Sequence, residues 1–300
     1  MRRSLSLLYR GPLSSCNYDC AYCPFAKRHE TAAQLQTDRR ALERFARWAG
    51  DVEKLELSLL LTPWGEALTR PWYHTATARL TQLSHVRRVA VQTNLSWSMD
   101  WLDDVHTESL ALWCTYHPSQ TTRTQFLSAC AQLQQRQIRH SVGMVALPDD
   151  FDEIRAMRRL LPATTYLWLN AWDVGDGQKY DYSDAQFALL SSIDPWFAVN
   201  RHDHPSLGRP CATGTEVFSV DGRGDVRRCH FVPDILGNLY APQWQFPEQA
   251  AGCPNQTCGC HIGYVHLPHL KQTSIYGDGI LERVPLRFLN TDPHDLAPLP

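Results

Sequence analysis

Cys16-Asn17-Tyr18-Asp19-Cys20-Ala21-Tyr22-Cys23-Pro24 sets three thiols in a CxxxCxxC spacing, after an apolar run, Leu5-Ser6-Leu7-Leu8-Tyr9, and a Gly11-Pro12 turn. The run reads as a buried strand, so the cysteines occupy the loop that follows it. A structural zinc or an ordinary iron–sulfur cluster takes four protein ligands. Three from one loop leave a metal position open. The plain alternative is a zinc or disulfide loop that staples the N-terminus.

Composition frames this reading. The chain has 300 residues, 43% of them hydrophobic, enough for one large domain or a large domain with a small appendage. Its apolar runs fall short of the roughly 20 residues of a membrane-spanning helix. Met1-Arg2-Arg3 followed by Leu5 resembles a signal sequence, but Tyr9-Arg10 cut the apolar part too short. A cytoplasmic protein is expected, and there ten cysteines point to metal rather than disulfides. A formal net charge of −2 gives no sign of general nucleic-acid binding. No membrane partner is expected either.

The first half alternates strand-like and helix-like segments. After the cysteine loop, Thr37 reads as the cap of a helix burying Leu42, Phe45 and Ala49. Strands are expected over residues 55–61, 89–93, 110–116, 141–147 and 165–172. Between them fall a helix with Pro71 in its first turn, a helix burying Phe126, Leu127, Cys130 and Leu133, and a helix from about Asp149 to Pro162. Six strands, each followed by a crossover, make consecutive parallel pairing the economical topology. The fold class is α/β, a partial (β/α)6 barrel of parallel strands with a small Cys-rich C-terminal extension. Ligands of such sheets gather at the carboxyl ends of the strands. Those ends carry Gly65 and Glu66, Thr93 and Asn94, Thr115 and His117, and Asn170.

The cysteine motif resembles that of the radical S-adenosylmethionine (radical SAM) superfamily, in which the residue before the last cysteine is usually aromatic, as Tyr22 is. The resemblance implies a 4Fe-4S cluster on Cys16, Cys20 and Cys23, with S-adenosyl-L-methionine (SAM) on the fourth iron. Reductive cleavage of SAM then gives methionine and a 5'-deoxyadenosyl radical that abstracts hydrogen from substrate. Trp64-Gly65-Glu66 resembles the family's Gly-Gly-Glu motif, which holds the methionine amino group, although Trp64 replaces the first glycine. Their place at strand ends makes Thr93, Asn94, Thr115, His117 and Asn170 candidates for the cofactor, with loop capping by Thr93 and Asn94 or action of His117 on substrate as alternatives; the resemblance adds Tyr22 beside the cluster and Gly143 on a strand that packs the adenine. No residue is assigned to catalysis proper. The partial six-stranded barrel is also the fold that the resemblance implies.

Beyond Trp172 the pattern changes. Asp173-Val174-Gly175-Asp176-Gly177 reads as a turn-rich loop, Ser183-Asp184-Ala185-Gln186 as a capping box, and His202 and His204 as exposed. Residues 1–209 are read as the barrel, 210–285 as the Cys-rich region and 286–300 as a tail, poorly ordered from Asp292 to Pro300. Val217-Phe218-Ser219-Val220 and Asp225-Val226-Arg227-Arg228 read as a hairpin that draws Cys211 and Cys229 together. Cys253, Cys258 and Cys260 follow, with His261. Cys211, Gly224 and Cys229, followed by Gly237-Asn238, resemble the SPASM/twitch extension of radical SAM enzymes, which holds auxiliary iron–sulfur clusters. One auxiliary 4Fe-4S cluster is implied, with four of the five thiols as ligands; a structural zinc on the same residues, with His261, is the competing reading. Cys114 and Cys130 are expected in the core.

Enzymes with this extension often modify peptides or proteins, so the resemblance implies a peptide or protein substrate and an electron donor such as flavodoxin or ferredoxin. The chain begins almost at its first strand, so no fused leader-binding domain of winged-helix type is expected. A radical enzyme acting on a small metabolite or nucleoside, and a non-catalytic metal-binding interaction protein, are the alternatives.

Overall fold

The computed structural model describes residues 2–25, 28–175 and 177–289. Six parallel strands run in consecutive order: β1 (Arg3–Arg10), β2 (Leu55–Leu61), β3 (Val86–Thr93), β4 (Leu110–Thr115), β5 (Arg139–Val145) and β6 (Leu167–Asn170). Residue alternation explains their burial on both sides. Leu7, Leu59, Val91, Leu112, Val142 and Leu169 pack outward under the helices, whereas Leu8, Leu60, Ala90, Trp113 and Trp168 face the barrel interior.

Helix α1 (Ala32–Asp51) starts earlier than the sequence suggests. Thr31 caps it with Gln34 in a reciprocal capping box, and Thr37 lies inside, its hydroxyl turned back onto the Ala33 carbonyl at 2.9 Å. Both threonines are plausible caps locally, and only the nearer glutamine partner favours Thr31. Pro71 opens α2 (Pro71–Thr81), α3 covers Arg123–Gln135, and α4 covers Phe151–Leu160, as expected from the spacing. The ribbon of β7 (Asp173–Gly175) and β8 (Gln178–Lys179) follows, then α5 (Asp184–Ile193) with the Ser183 capping box in place, and α6 (Phe197–Asn200).

The sheet does not stop at the expected boundary near residue 210. After the short β9 (His204–Pro205), β10 (Val217–Asp221) pairs parallel with the free edge of β1. The expected hairpin is present as β10 and β11 (Asp225–Arg227), extended antiparallel by β12 (Ile235–Asn238). The result is one nine-stranded sheet, β12-β11-β10-β1-β2-β3-β4-β5-β6. Asn238 ties the hairpin turn, its amide donating to the Arg223 carbonyl at 3.1 Å and to Asp225 at 2.9 Å.

The segment after β13 (Thr257–Cys258) folds back into the barrel. Ile262, Tyr264 and Val265 from the α7 region (His261–Tyr264), Tyr276 from α8 (Gln272–Tyr276) and Leu281 join the interior cluster built on Leu8, Leu60 and Trp113. At the far end of the strands Arg88 and Arg139 meet Asp278 and the fully buried Glu282, clamping this segment in place. The last described element is α9 (Leu286–Leu289); the proline-bearing tail expected from Asp292 lies outside the described residues. Cys114 and Cys130 are buried in the outer core, as expected.

Candidate active site

The loop after β1 is held from both sides before it reaches Cys16. Asp38 of α1, itself fully buried, accepts from the Leu13 amide at 3.1 Å, the Trp72 indole at 2.7 Å and the Tyr73 hydroxyl at 3.2 Å. Glu30 accepts from the Ser14 and Ser15 amides at 3.1 and 3.0 Å. Opposite, the chain leaving β2 lies against the same backbone: the Trp64 and Gly65 amides donate to Leu13 O, and the Glu66 amide to Ser15 O. A side chain on Gly65 would put Cβ 2.0 Å from Ser15 O. The glycine is therefore needed for close backbone approach.

Glu66 is buried and accepts from the Leu68 amide at 3.1 Å, the Thr93 hydroxyl at 2.8 Å and the Asn94 amide at 2.7 Å. Burial pushes its carboxyl up to about 7, against those three hydrogen bonds, which favour the charged form. The Asn94 side chain donates to Asn17 at 3.1 Å and reaches Cys16 Sγ at 3.7 Å, and the Tyr18 amide also points at that sulfur at 3.4 Å. Burial raises the Cys16 thiol. His117 Nδ1 meets the Tyr22 hydroxyl at 2.7 Å, and burial pulls the imidazole down to about 4. Glu66, Thr93, Asn94 and His117 thus arrive at one loop from three successive strand ends.

Two expected positions find other occupants. The space beside Gly143 is taken by the Trp168 indole, 2.0 Å from where a Cβ would lie, so this glycine serves interior packing. Asn170 accepts from Asn200 at 3.0 Å, and Asn200 in turn reaches the Tyr264 hydroxyl at 3.2 Å. Thr115 sits half-buried next to Gly143 in the β4–β5 register. His204, expected exposed, is half-buried, with Nε2 2.8 Å from the Val199 carbonyl.

In the tail, burial pushes Cys258 up to about 12, with Cys229, Cys260, Cys211 and Cys253 adding to it. Cys229 is likewise pushed to about 11 by burial, helped by Cys211 and Cys253. Donors face these sulfurs: the Phe231 amide to Cys229 at 3.3 Å and the Thr213 hydroxyl to Cys211 at 3.1 Å. Gly263 leaves room for Cys258 Sγ, which a Cβ would approach to 2.6 Å. Cys260 differs, having Arg10, Lys179 and Arg283 as charged neighbours. His261, the alternative zinc ligand, is buried edge-on against Trp113, Tyr264 and Tyr276.

Among the described residues no three His, Cys, Asp or Glu side chains close into a ready-made metal cage. The donor chemistry nevertheless fits iron–sulfur ligation: thiols that form no disulfide, and N–H or O–H donors aimed at Cys16, Cys211 and Cys229, the contacts that tune thiolate-bound clusters.

No protein-family profile and no curated protein matches the sequence. Solved structures do match the fold. Streptococcus suis SuiB bound to S-adenosylmethionine aligns with a TM-score of 0.54 at 13% identity, over 80% of this chain and 64% of that one. The anSMEcpe protein with bound AdoMet aligns with a TM-score of 0.51 at 13% identity, over 79% of this chain and 75% of that one. The chain shares the fold of these S-adenosylmethionine-bound proteins. The chain spans 64% of the length of SuiB. At this identity the likeness is one of fold, and it agrees with the architecture expected from the sequence. The sequence does not announce the packed pair Arg10 and Trp64, with the guanidinium 3.9 Å from the ring centroid. Period-two alternation from Leu8 was the signal available for Arg10. For Asp38 and Glu30 there was none, because their partners lie 15 to 35 residues away along the chain. No helix of the described residues is long and apolar enough to cross a membrane.

Proposed function

We propose that the chain is a radical SAM enzyme acting on a peptide or protein, with Cys16, Cys20 and Cys23 as the ligands of a 4Fe-4S cluster whose open iron takes SAM. The observation that carries this reading is an incomplete thiol set on the loop after β1, with Glu66, Thr93, Asn94 and His117 gathered against it. The bound cluster and SAM would supply reductive cleavage to methionine and a 5'-deoxyadenosyl radical. The chain's own residues hold and tune. Asn94 and the Tyr18 amide direct donors at Cys16, Gly65 lets the β2 connection seat against the loop, and His117 fixes Tyr22 beside Cys23. Glu66, which burial leaves about half-ionised near pH 7, would accept a hydrogen bond from the amino group of SAM.

Four of Cys211, Cys229, Cys253, Cys258 and Cys260 would hold an auxiliary 4Fe-4S cluster, since Cys258 feels the charge of all four others. The division near residue 210 is then one of role, because the sheet runs across it. A peptide substrate is supported by two structures of the same fold, SuiB bound to precursor peptide SuiA and anSMEcpe with a Cp18Cys peptide. A flavodoxin or ferredoxin is the expected electron donor.

The test is anaerobic reconstitution. The protein is expected to hold about eight irons, and about four in either Cys16→Ala/Cys20→Ala/Cys23→Ala or Cys229→Ala, at four per cluster. With dithionite and SAM it should release 5'-deoxyadenosine. No release from iron-loaded protein overturns the enzyme reading, and zinc in the tail overturns the auxiliary cluster.

A further inference from the structure

Arg10 ends β1 on the interior-facing side, two residues after Leu8. Its Nε donates to the Thr62 carbonyl at 3.0 Å and its guanidinium lies 3.9 Å from the Trp64 ring centroid. Among the described residues no carboxylate pairs with it. With Ser219, Asp221, Arg227 and His230 it lines a cavity of about 200 Å³ where β1 meets β10.

The other charges of this cavity are already committed. Asp221 accepts from Arg227 Nη1 at 3.1 Å and from the Arg223 and Asp225 amides at 2.9 and 3.1 Å. His230 Nε2, by contrast, is shielded from solvent and has no hydrogen-bond partner. The walls therefore offer guanidinium donors, a free imidazole nitrogen and the buried Ser219 hydroxyl, with one uncompensated positive charge. A half-buried cation with no carboxylate beside it and an unpaired shielded polar atom both cost stability. A ligand that satisfies both removes the cost.

We infer that this pocket is a carboxylate subsite, taking one carboxylate of the peptide substrate between Arg10 and His230. The inference rests on the peptide reading above. A single planar anion suits a single free guanidinium, which binds carboxylates through parallel hydrogen bonds. A phosphate brings nearly twice the charge and would meet the Asp221 carboxylate on the wall. The site's position fits a substrate anchor. Trp64 packs on Phe25, two residues after Cys23, at 4.6 Å between ring centroids, and His230 directly follows Cys229. A carboxylate held here lies between the two cysteine constellations. Its source is an acidic side chain or a free peptide C-terminus.

Titration calorimetry with three probes separates these. N-acetyl-L-glutamate α-amide carries a side-chain carboxylate, N-acetyl-L-glutamine a terminal one, and N-acetyl-L-glutamine α-amide none. Wild-type protein is expected to bind one of the charged probes about tenfold or more tighter than the neutral one, as hydrogen bonds to charged groups warrant. The tighter of the two identifies the source. The preference should vanish in Arg10→Gln. Equal or undetectable binding of all three by wild type overturns the inference without recourse to a variant, as does a preference that survives Arg10→Gln. Release of 5'-deoxyadenosine by wild type, measured without probes, judges the enzyme reading separately: a pocket that binds carboxylate in a protein that never cleaves SAM leaves this inference standing and removes the other.

Discussion

Replacing Gly65 with alanine tests the seating of the cysteine loop directly. The new Cβ would lie 2.0 Å from Ser15 O, 2.7 Å from Ser15 C and 2.8 Å from Ser15 N. All three atoms are backbone, so no rotamer change relieves the contact, and an ordinary separation of about 3.5 Å requires the two segments to part by more than about 1 Å. Three hydrogen bonds hold them at present: Trp64 N to Leu13 O at 3.1 Å, Gly65 N to Leu13 O at 3.2 Å and Glu66 N to Ser15 O at 3.1 Å. Losing them costs about 1 kcal/mol each, and relaxing an overpacked site typically 1–3 kcal/mol more, so about 4–6 kcal/mol in total. For a chain of this size, at about 2 °C per kcal/mol, that is roughly 8–12 °C in Tm. Gly50→Ala is the matched control, since its Cβ would meet only Arg79 Nη2 at an ordinary 3.5 Å near the end of α1. Alanine there should gain roughly 0.5 kcal/mol. Thermal unfolding followed by circular dichroism, with bound iron counted on the same samples, reads both variants. A Gly65→Ala protein that melts within about 2 °C of wild type and holds as much iron would refute the reasoning.

Two further outcomes follow from buried charges. Burial raises the Glu66 carboxyl from 4.5 to about 7, so its contribution to stability is present below about pH 4.5 and lost as pH rises through about 7. Metal-free protein should lose about 3 kcal/mol from this group across that window; the stability difference between wild type and Glu66→Gln, taken from urea unfolding at several pH values, should shift by that amount, and a pH-independent difference would count against it. Arg139 bonds the fully buried Glu282 at 3.0 Å and Asp278 at 3.2 Å, so Arg139→Met should cost about 3 kcal/mol in urea unfolding by leaving Glu282 to Arg88 alone. A loss below about 1 kcal/mol would mean that the clamp contributes little, as exposed pairs do.

The legible parts were those whose signal is local. Residues 55–61 alternate and cluster as a strand must, Pro71 marks a helix start, and Ser183 with Gln186 forms the capping box its spacing announces. The cysteine spacing and the polar residues at strand ends were legible for the same reason. Thr37 misled because capping residues recur and the deciding partner, Gln34, lay beside a different threonine. At Gly143 the sequence cannot show that its neighbour across the β5–β6 register, Trp168, lies 2.0 Å from where a Cβ would be.

By itself the sequence determined that six strands alternate with helices, that three thiols leave the first of them, and that five more gather near the end. Tertiary structure alone decided that β10 docks on the open edge of β1, that residues 261–284 fill the barrel interior, and that Arg10 faces Trp64 with no carboxylate partner among the described residues. The reason is range. Helical and strand periodicities are set by neighbours a few residues apart, whereas Ser6 meets Val217 and Arg139 meets Glu282 only after more than a hundred residues of intervening chain have folded.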